Sequence, residues 1–415
     1  MHPYPPQHDS HEGQESRKNT GSVPANPAPI PEPWRVEVAA PDLEDLADRL
    51  RRARWADDFA NDDWRYGVER AWLEEMIAYW LHEYDWRAEE VKINQWPHFR
   101  VHLAGMPIHY VHVRGRGPRP VPLILSHGWP WTFWDMKDLI GPLSDPEAHG
   151  GDPLDAFDVV VPSLPGYGFS SPLRRPGVDV AVIADTWAEL MGSVLGYQRF
   201  GAYGGDWGAM ISAQLGHAHP DRVIGVELSL PVLPGVSRRE ISPSDWADDE
   251  SWMLRRMAES ERLIRSHVAV HTADPQTLAY ALADSPLATA AWIWERRRAW
   301  SDCDGDVLSV FSREDLITTA AIYWLTGTTT TSLRLYFEHF NKPWPLAPGR
   351  PPGIGVPTGF AVFPKDLVFL PRSVAEAHCD LRRWTVMPRG GHFAPAEQPQ
   401  LVVEEIRSFF RDLRS

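Results

Sequence analysis

The chain has 415 residues, 43% of them hydrophobic, and a formal net charge of −15 at pH 7, so it can bury a sizeable core. Such an acidic surface repels phosphate backbones and anionic membranes, which argues against nucleic acid as a partner. Two cysteines are too few for a disulfide framework and no run of 18 apolar residues occurs, so we expect a cytoplasmic protein without a membrane span. Residues 1–32 are rich in Pro, Ser, Gly, Asn and His and are predicted to form a disordered tail.

An N-terminal extension is predicted over residues 33–118. The stretch APDLEDLADRLRRARW places Leu43, Leu46 and Leu50 at spacings of three and four, which is typical of an amphipathic helix. The stretch ERAWLEEMIAYWLHEYDW predicts a second helix. Alternation around AGM in FRVHLAGMPIHYVHVRG predicts a β-hairpin.

Strand and helix patterns alternate over residues 119–234. The short apolar runs typical of buried parallel strands are VPLILSHGW, FDVVVPSLPGYG, RFGAYG and VIGVELSL. The helix patterns between them are WDMKDLIGPL, DVAVIADTWAELMGSVLGY and GAMISAQLGHAHP. This alternation predicts an α/β protein with a mostly parallel sheet and helices on both faces.

A mostly helical stretch over residues 235–345 interrupts the alternation, and we predict that it forms a helical cap. Its helix patterns include ESWMLRRMAESERLIRSH, DPQTLAYALADSPLATAAWIWERRRAW and REDLITTAAIYWLTG. The strand patterns PTGFAVFP and RRWTVMPRG and the helix pattern QLVVEEIRSFF then follow in residues 346–415. The predicted α/β core therefore has two parts, 119–234 and 346–415.

The stretch GGDWGAM, residues 204–210, lies between a predicted strand and a predicted helix. A nucleophile between two small residues at such a junction is the pattern of a nucleophile elbow. Glycines there let the strand and the helix approach closely, and the helix N-terminus favours an anion. Asp206 is therefore the candidate nucleophile.

Two further residues follow in the chain order nucleophile, acid, base that this arrangement uses. Asp366 in FPKDL and His392 in RGGHFAPAEQP each follow a predicted strand, where open α/β sheets place their sites. The stretch HGWPWTFW follows the first strand of the alternating region, where a second oxyanion donor belongs. The backbone N–H groups of Trp129 and Trp207 are therefore the candidate oxyanion hole.

An aspartate in place of a serine predicts the kind of electrophile. A carboxylate displaces at a saturated carbon and leaves an alkyl ester on the enzyme, whose carbonyl is then attacked by water that His392 activates. Epoxides and haloalkanes are the two obvious substrate classes. An epoxide oxygen leaves as an alkoxide and needs an acid, which a tyrosine hydroxyl can supply.

The motifs HGWP, PSLPGYGFS, GGDWG, DSPLATAAWIWE, YWLTGT, VPTGFAVFPKD and RGGHFAPAEQP together resemble those of the epoxide hydrolases of the α/β-hydrolase fold. The resemblance is to the microsomal and fungal-type branch, and it runs from about Pro33 to the C-terminus. It implies an α/β-hydrolase fold with a helical cap and an N-terminal extension. It also implies a cofactor-independent epoxide hydrolase with Asp206 as nucleophile, His392 as base and Asp366 as the orienting acid.

The resemblance further implies tyrosines in the cap that assist ring opening. Tyr336 in SLRLYFEHF matches one of them, and we interpret the nearby Tyr323 in IYWLTG as a packing residue. At the position of the second cap tyrosine this chain has His267, in SHVAVHTADPQT. A neutral histidine donates a hydrogen bond and a protonated one delivers a proton, so His267 either replaces that tyrosine or leaves Tyr336 to act alone.

The predicted reaction is therefore hydrolysis of an epoxide, bulky and apolar or aryl-bearing, to a vicinal diol. The alternatives are a haloalkane or haloacid dehalogenase with the same nucleophile, and a non-catalytic binder of a hydrophobic ligand. The expected partners are a small-molecule epoxide and water, with a second copy of the chain as the candidate protein partner. No HExxH, Cys/His, GxGxxG or GxxxxGK[ST] spacing indicates a metal or a nucleotide cofactor.

Overall fold

The computed structural model describes residues 29–414, and nine strands lie within them. The strands are β1 Glu32–Trp34, β2 His98–Leu103, β3 Met106–Val113, β4 Val121–Ser126, β5 Phe157–Pro162, β6 Phe200–Gly204, β7 Val223–Leu228, β8 Ile354–Val362 and β9 Cys379–Val386. They form one sheet in the order β1-β2-β3-β5-β4-β6-β7-β8-β9.

Fourteen α-helices lie within the same part of the chain. They are α1 Ala40–Arg51, α2 Arg70–His82, α3 Trp86–Ile93, α4 Lys137–Ser144, α5 Val180–Glu189, α6 Trp207–Ala218, α7 Ser251–Ala273, α8 Pro275–Asp284, α9 Pro286–Trp300, α10 Arg313–Leu325, α11 Thr328–Phe340, α12 Arg372–His378, α13 Ala394–Glu397 and α14 Pro399–Arg411. Helices α5 and α6 pack together, as do α4 and α14, so that helices cover both sides of the sheet.

The sheet is mostly parallel, as the alternating pattern predicts. All neighbours from β5 across β4, β6, β7 and β8 to β9 run parallel, whereas β1, β2 and β3 form an antiparallel edge. Every residue of β5 and β6 is buried, which explains why these strands read as continuous apolar runs. The prediction of an α/β protein with helices on both faces is confirmed.

The N-terminal part of the sheet differs from the prediction in one element. The predicted hairpin is present as β2 and β3, joined by Ala104 and Gly105, which both have positive φ. Strand β1 was not predicted, and its first residue, Glu32, falls in the predicted disordered tail and pairs with Arg100 of β2. Residues 1–28 of that tail lie outside the described residues.

Five helices, α7 to α11, lie between β7 and β8, and we call residues 251–340 the helical insert. One predicted long helix in this stretch is divided into α8 and α9 at Ser285. Pro286 lacks the N–H that a continuous helix needs, and the Ser285 side chain accepts a hydrogen bond from the N–H of Ala288 at 3.1 Å. A proline and an N-cap therefore begin a new helix at this point.

Among residues 29–414, no helix combines the length and the apolar character needed to cross a bilayer.

Candidate active site

Asp206 occupies the turn between β6 and α6. Its backbone φ of 51° and ψ of −126° lie outside the regions that side-chain-bearing residues usually adopt. A Cβ on Gly208 would lie 1.8 Å from the carbonyl oxygen of Ser126, and a Cβ on Gly204 would lie 2.2 Å from the backbone of Gly208. Only glycine fits at these two positions, and the resulting close packing presents the Asp206 carboxylate at the carboxyl edge of the sheet.

The two carboxylate oxygens of Asp206 have different neighbours. Oδ1 accepts a hydrogen bond from the backbone N–H of Trp129 at 2.7 Å. A Cβ on Gly128 would lie 2.3 Å from this oxygen. The hydrogen bond between Asp206 and Trp129 therefore requires a glycine at position 128. Oδ2 lies 3.3 Å from Nε2 of His392. One oxygen is thus bound by an N–H donor while the other faces the histidine.

Trp207, the second predicted oxyanion donor, is the first residue of α6 and directly follows Asp206. The first N–H groups of a helix have no partner within the helix. The N–H of Trp207 is therefore one of the N–H groups that α6 leaves without a helical partner, and it belongs to the residue next to Asp206. The hydrogen bond to Asp206 that the structure records is the one from Trp129.

His392 and Asp366 form a buried pair at the ends of β9 and β8. Nδ1 of His392 lies 2.7 Å from Oδ1 of Asp366, and the two residues are 3% and 2% exposed. Donation by Nδ1–H to the carboxylate fixes the ring and turns Nε2 toward Asp206. Nε2 has no well-aligned hydrogen-bond partner among residues 29–414, because the 3.3 Å approach to Asp206 is an ion-pair contact rather than a good hydrogen bond.

The charges around His392 control its protonation. Burial opposes the charged imidazolium, but the carboxylates of Asp366 and Asp206 outweigh burial and raise the pKa of His392 to about 10. The histidine is therefore protonated at neutral pH.

The structure separates the two candidate tyrosines clearly. The Tyr323 hydroxyl donates a hydrogen bond to the carbonyl oxygen of Trp131 at 2.7 Å, so it is engaged with the backbone. Tyr336, on α11, lines the cavity with Asp206, and its ring lies 4.8 Å from that of Trp207. Burial and the nearby Asp206 charge raise the pKa of Tyr336 well above 10, so the hydroxyl keeps its proton at neutral pH.

His267 reaches the same cavity from α7. Its ring stacks on the indole of Trp129 at 5.3 Å and 17°, and it meets the ring of Tyr336 edge-on at 5.5 Å. Burial, with the nearby positive charge of Arg296 and neighbouring histidines, holds the pKa of His267 well below 6.5. The sequence left open whether the His267 imidazole is neutral or protonated, and the lowered pKa favours the neutral form.

His271 was not singled out from the sequence. It lies one turn after His267 on α7, is fully buried, and packs 4.9 Å from the ring of Tyr336. Trp292 donates a hydrogen bond from Nε1 to Nε2 of His271 at 3.2 Å. The spacing of four residues between two histidines of one helix was the available signal. His271 therefore supports the ring that faces the nucleophile.

A cavity of about 380 Å³ opens over these residues. Asp206, His392, Tyr336 and His267 line it together, and its other polar lining residues are Ser237, Arg238, His339 and Lys342. Its remaining wall is largely apolar and includes Met210, Leu230, Val232, Leu233, Val236, Ile264, Val268, Trp300, Phe340, Trp344, Leu367, Val368 and Leu370. An apolar cavity with a few convergent polar groups is typical of a small-molecule site.

The fold and this site define an α/β-hydrolase with a carboxylate at the nucleophile elbow. Sequence profiles agree, since the family described as epoxide hydrolase N terminus matches residues 31–136 and the α/β-hydrolase fold family matches residues 121–326.

Individual relatives extend over nearly the whole chain. A protein of Stigmatella aurantiaca (strain DW4/3-1) that carries epoxide hydrolase as a provisional name is 38% identical over 92% of this chain and 85% of its own length. Epoxide hydrolase 1 of Oryctolagus cuniculus is 32% identical over 91% of this chain and 88% of its own length. The solved Aspergillus niger epoxide hydrolase superposes with a TM-score of 0.80 at 28% identity, covering 92% of this chain and 96% of that structure. The chain belongs to the epoxide hydrolase family of the α/β-hydrolase fold.

Proposed function

We propose that this epoxide hydrolase opens its substrate through a covalent ester on Asp206. The observation that carries the proposal is that the two oxygens of that carboxylate have different contacts. Oδ1 is bound by the N–H of Trp129, and Oδ2 lies beside His392, which lines the cavity with Asp206. An oxygen bound in this way keeps its place while the other one forms a bond.

In the first step, Oδ2 of Asp206 bonds to a carbon of the oxirane and the ring C–O bond breaks. The leaving oxygen becomes an alkoxide, which takes the proton of the Tyr336 hydroxyl. An alkoxide is a stronger base than a phenolate, which favours transfer of the hydroxyl proton to the leaving oxygen. His267, neutral and in contact with the Tyr336 ring, takes the place of a second tyrosine as a hydrogen-bond donor.

Ester formation removes the charge of Asp206 and so removes one of the interactions that raise the pKa of His392. The pKa falls, and the proton of His392 passes by way of water to the Tyr336 phenolate, so that both residues are neutral before the second step. The neutral imidazole is then able to take a proton from water. The reaction thus makes its own base at the moment when the base is needed.

In the second step, His392 takes a proton from water at Nε2 and the hydroxide oxygen bonds to Cγ of Asp206. The negative charge develops on Oδ1, where the N–H groups of Trp129 and Trp207 stabilise it. Collapse breaks the Cγ–Oδ2 bond, and the diol leaves with Oδ2 and the proton from His392. The remaining carboxyl proton then passes to His392, which restores the Asp206 carboxylate and the imidazolium. Asp366 holds the histidine in the required tautomer throughout.

The helical insert acts as a cap in this proposal, because it supplies Tyr336, His267 and the wall residues Ile264, Val268, Trp300 and Phe340. The domain boundaries that go with it are an extension over 33–118, a cap over 235–345 and a core formed by 119–234 and 346–415. The apolar wall favours a bulky, apolar or aryl-bearing epoxide. A dehalogenase needs no proton donor for its halide, so the placement of Tyr336 favours the epoxide.

The direct test is diol formation from styrene oxide by the wild type and by Asp206→Ala. We expect the variant to lose at least about 10⁴-fold in turnover, because no other group forms the ester. Asp185→Asn, an exposed aspartate of α5, is the matched control and is expected to keep full activity. Diol formation by Asp206→Ala at a rate near that of the wild type would contradict the proposal, and chloride release from a chloroalkane would favour the dehalogenase.

A further inference from the structure

The loop that carries His392 is bonded to the end of helix α9 of the helical insert. The N–H of His392 donates to the carbonyl oxygen of Trp300 at 2.9 Å, and the N–H of Gly390 donates to the carboxylate of Asp302 at 2.9 Å. Two segments that are distant in the sequence, 390–393 of the core and 300–302 of the insert, therefore share a hydrogen-bond network.

Glu397 lies at the centre of this network. Its Oε1 accepts the N–H of Phe393 at 2.8 Å. Its Oε2 accepts the N–H of Gly391 at 2.9 Å and the N–H of Asp302 at 2.8 Å. The carboxylate thus binds the residues on both sides of His392, and its Oε2 also binds Asp302 in the segment that directly follows helix α9. Glu397 is 9% exposed, and a buried carboxylate of this kind is held by the donors around it.

We propose that Glu397 is a positioning residue that locks the His392 loop to helix α9, and that its loss slows hydrolysis of the ester more than formation of the ester. The inference rests on the proposed function, in which His392 acts as the base of the second step. The first step uses Asp206 and Tyr336, and neither residue is bonded to Glu397.

Only a carboxylate satisfies all three N–H groups. A glutamine at this position presents one oxygen and one NH₂ group, and the NH₂ group faces a backbone N–H that it cannot accept. Either the Phe393 bond or the paired Gly391 and Asp302 bonds must therefore be lost. The loop then shifts around His392, and a base that moves by about 1 Å loses on the order of a hundredfold in rate.

The experiment is a single turnover of styrene oxide with enzyme in excess, or of another epoxide that the wild type converts. Rapid quenching followed by intact-protein mass reports the ester, and the free diol is measured in parallel. In Glu397→Gln we expect ester formation within about threefold of the wild type and ester hydrolysis slower by about tenfold to a hundredfold, so that the ester accumulates. Asp302→Ala, which removes only the Gly390 acceptor, is expected to show a smaller effect in the same direction.

Glu405→Gln is the matched control for the loss of a buried carboxylate. Glu405 on α14 is 5% exposed and binds Arg383 and Thr385 of β9 rather than residues 390–393, so both steps are expected to stay at the wild-type rate. Thermal unfolding of all variants measures the purely structural loss. Because Asp302→Ala is milder, it gives the kinetic comparison even if Glu397→Gln does not fold.

His392→Gln separates this proposal from the one on which it rests. Ester that accumulates in His392→Gln but not in Glu397→Gln or Asp302→Ala overturns the role of Glu397 and leaves the covalent mechanism in place. Equal slowing of both steps in Glu397→Gln also overturns it, since that result indicates a general structural role. Failure of His392→Gln to accumulate ester overturns both proposals together.

Discussion

The sheet edge and the helical insert place their parts of the site in different ways. At the sheet edge, Asp206 and His392 are fixed by a strained turn, by glycine clearances and by hydrogen bonds of 2.7 Å. In the insert, Tyr336 and His267 are placed by ring packing at 4.8 to 5.5 Å. Ring packing tolerates more displacement than a hydrogen bond does.

This difference separates two tasks. The groups that make and break the ester must be held to a fraction of an ångström, and backbone geometry does this. The groups that receive the alkoxide and enclose the substrate work over a wider range of positions. We therefore expect changes at the sheet edge to abolish turnover and changes in the insert to alter rate and substrate range.

Gly128→Ala tests the sheet edge with the largest expected effect. The new Cβ would lie 2.3 Å from Oδ1 of Asp206, so it must displace either the carboxylate or the Trp129 N–H. Loss of one oxyanion donor costs about 10² to 10³ in rate, and we expect kcat to fall at least that far. Gly355→Ala is the matched control, because its Cβ meets no atom closer than 3.9 Å. A Gly128→Ala enzyme with wild-type kcat would contradict the claim that turnover depends on exact geometry at the sheet edge.

Tyr336→Phe tests the insert and is expected to slow ester formation by about a hundredfold, since general acid catalysis contributes 10² to 10⁴. Tyr323→Phe is the control in the same insert. It removes the hydrogen bond to the Trp131 carbonyl and is expected to cost about 1 kcal/mol of stability with little change in ester formation. Stopped-flow single turnovers and chemical unfolding measure the two effects. Similar kinetic losses in both variants would contradict the distinct roles of the two hydroxyls.

The pH dependence of stability gives a smaller effect at the sheet edge. In the folded protein the pKa of His392 is raised from 6.5 to about 10, so between these pH values the folded state binds more protons than the unfolded state. Stability from this group is fully present below about pH 6.5 and is lost as the pH rises toward 10. We expect the unfolding free energy of His392→Gln to change less with pH over this range than that of the wild type, as measured by urea titration at several pH values. If the unfolding free energies of the two proteins change with pH in parallel, the carboxylates of Asp206 and Asp366 do not raise the pKa of His392.

The sequence predicted the parts of the molecule that local pattern controls. Asp206, Asp366 and His392 each follow a strand, and the carboxyl ends of parallel strands meet at one edge, so their convergence was predictable. Strand β1 was missed because it has three residues, one of them proline, and forms through pairing with the edge of β2. The break between α8 and α9 had a local signal in Ser285 and Pro286, but the apolar pattern continued through it.

The rest depended on contacts between distant residues. The clearance at Gly128 is set by Asp206, 78 positions away along the chain, and no local pattern reports it. The stacking of His267 on Trp129 and the three bonds of Glu397 likewise join segments that only the folded chain brings together. Tertiary contacts of this kind determine which of the site residues predicted from the sequence act together.

The covalent ester on Asp206 is tested most directly by one turnover in H₂¹⁸O with enzyme in excess over an epoxide that the wild type converts. Water attacks Cγ of Asp206 in this account, and the diol leaves with an oxygen of the original carboxylate. We predict that the diol of the first turnover contains no ¹⁸O and that the peptide containing Asp206 carries the label. Diol labelled in the first turnover, with an unlabelled Asp206 peptide, would show that water attacks the epoxide itself and would contradict the account.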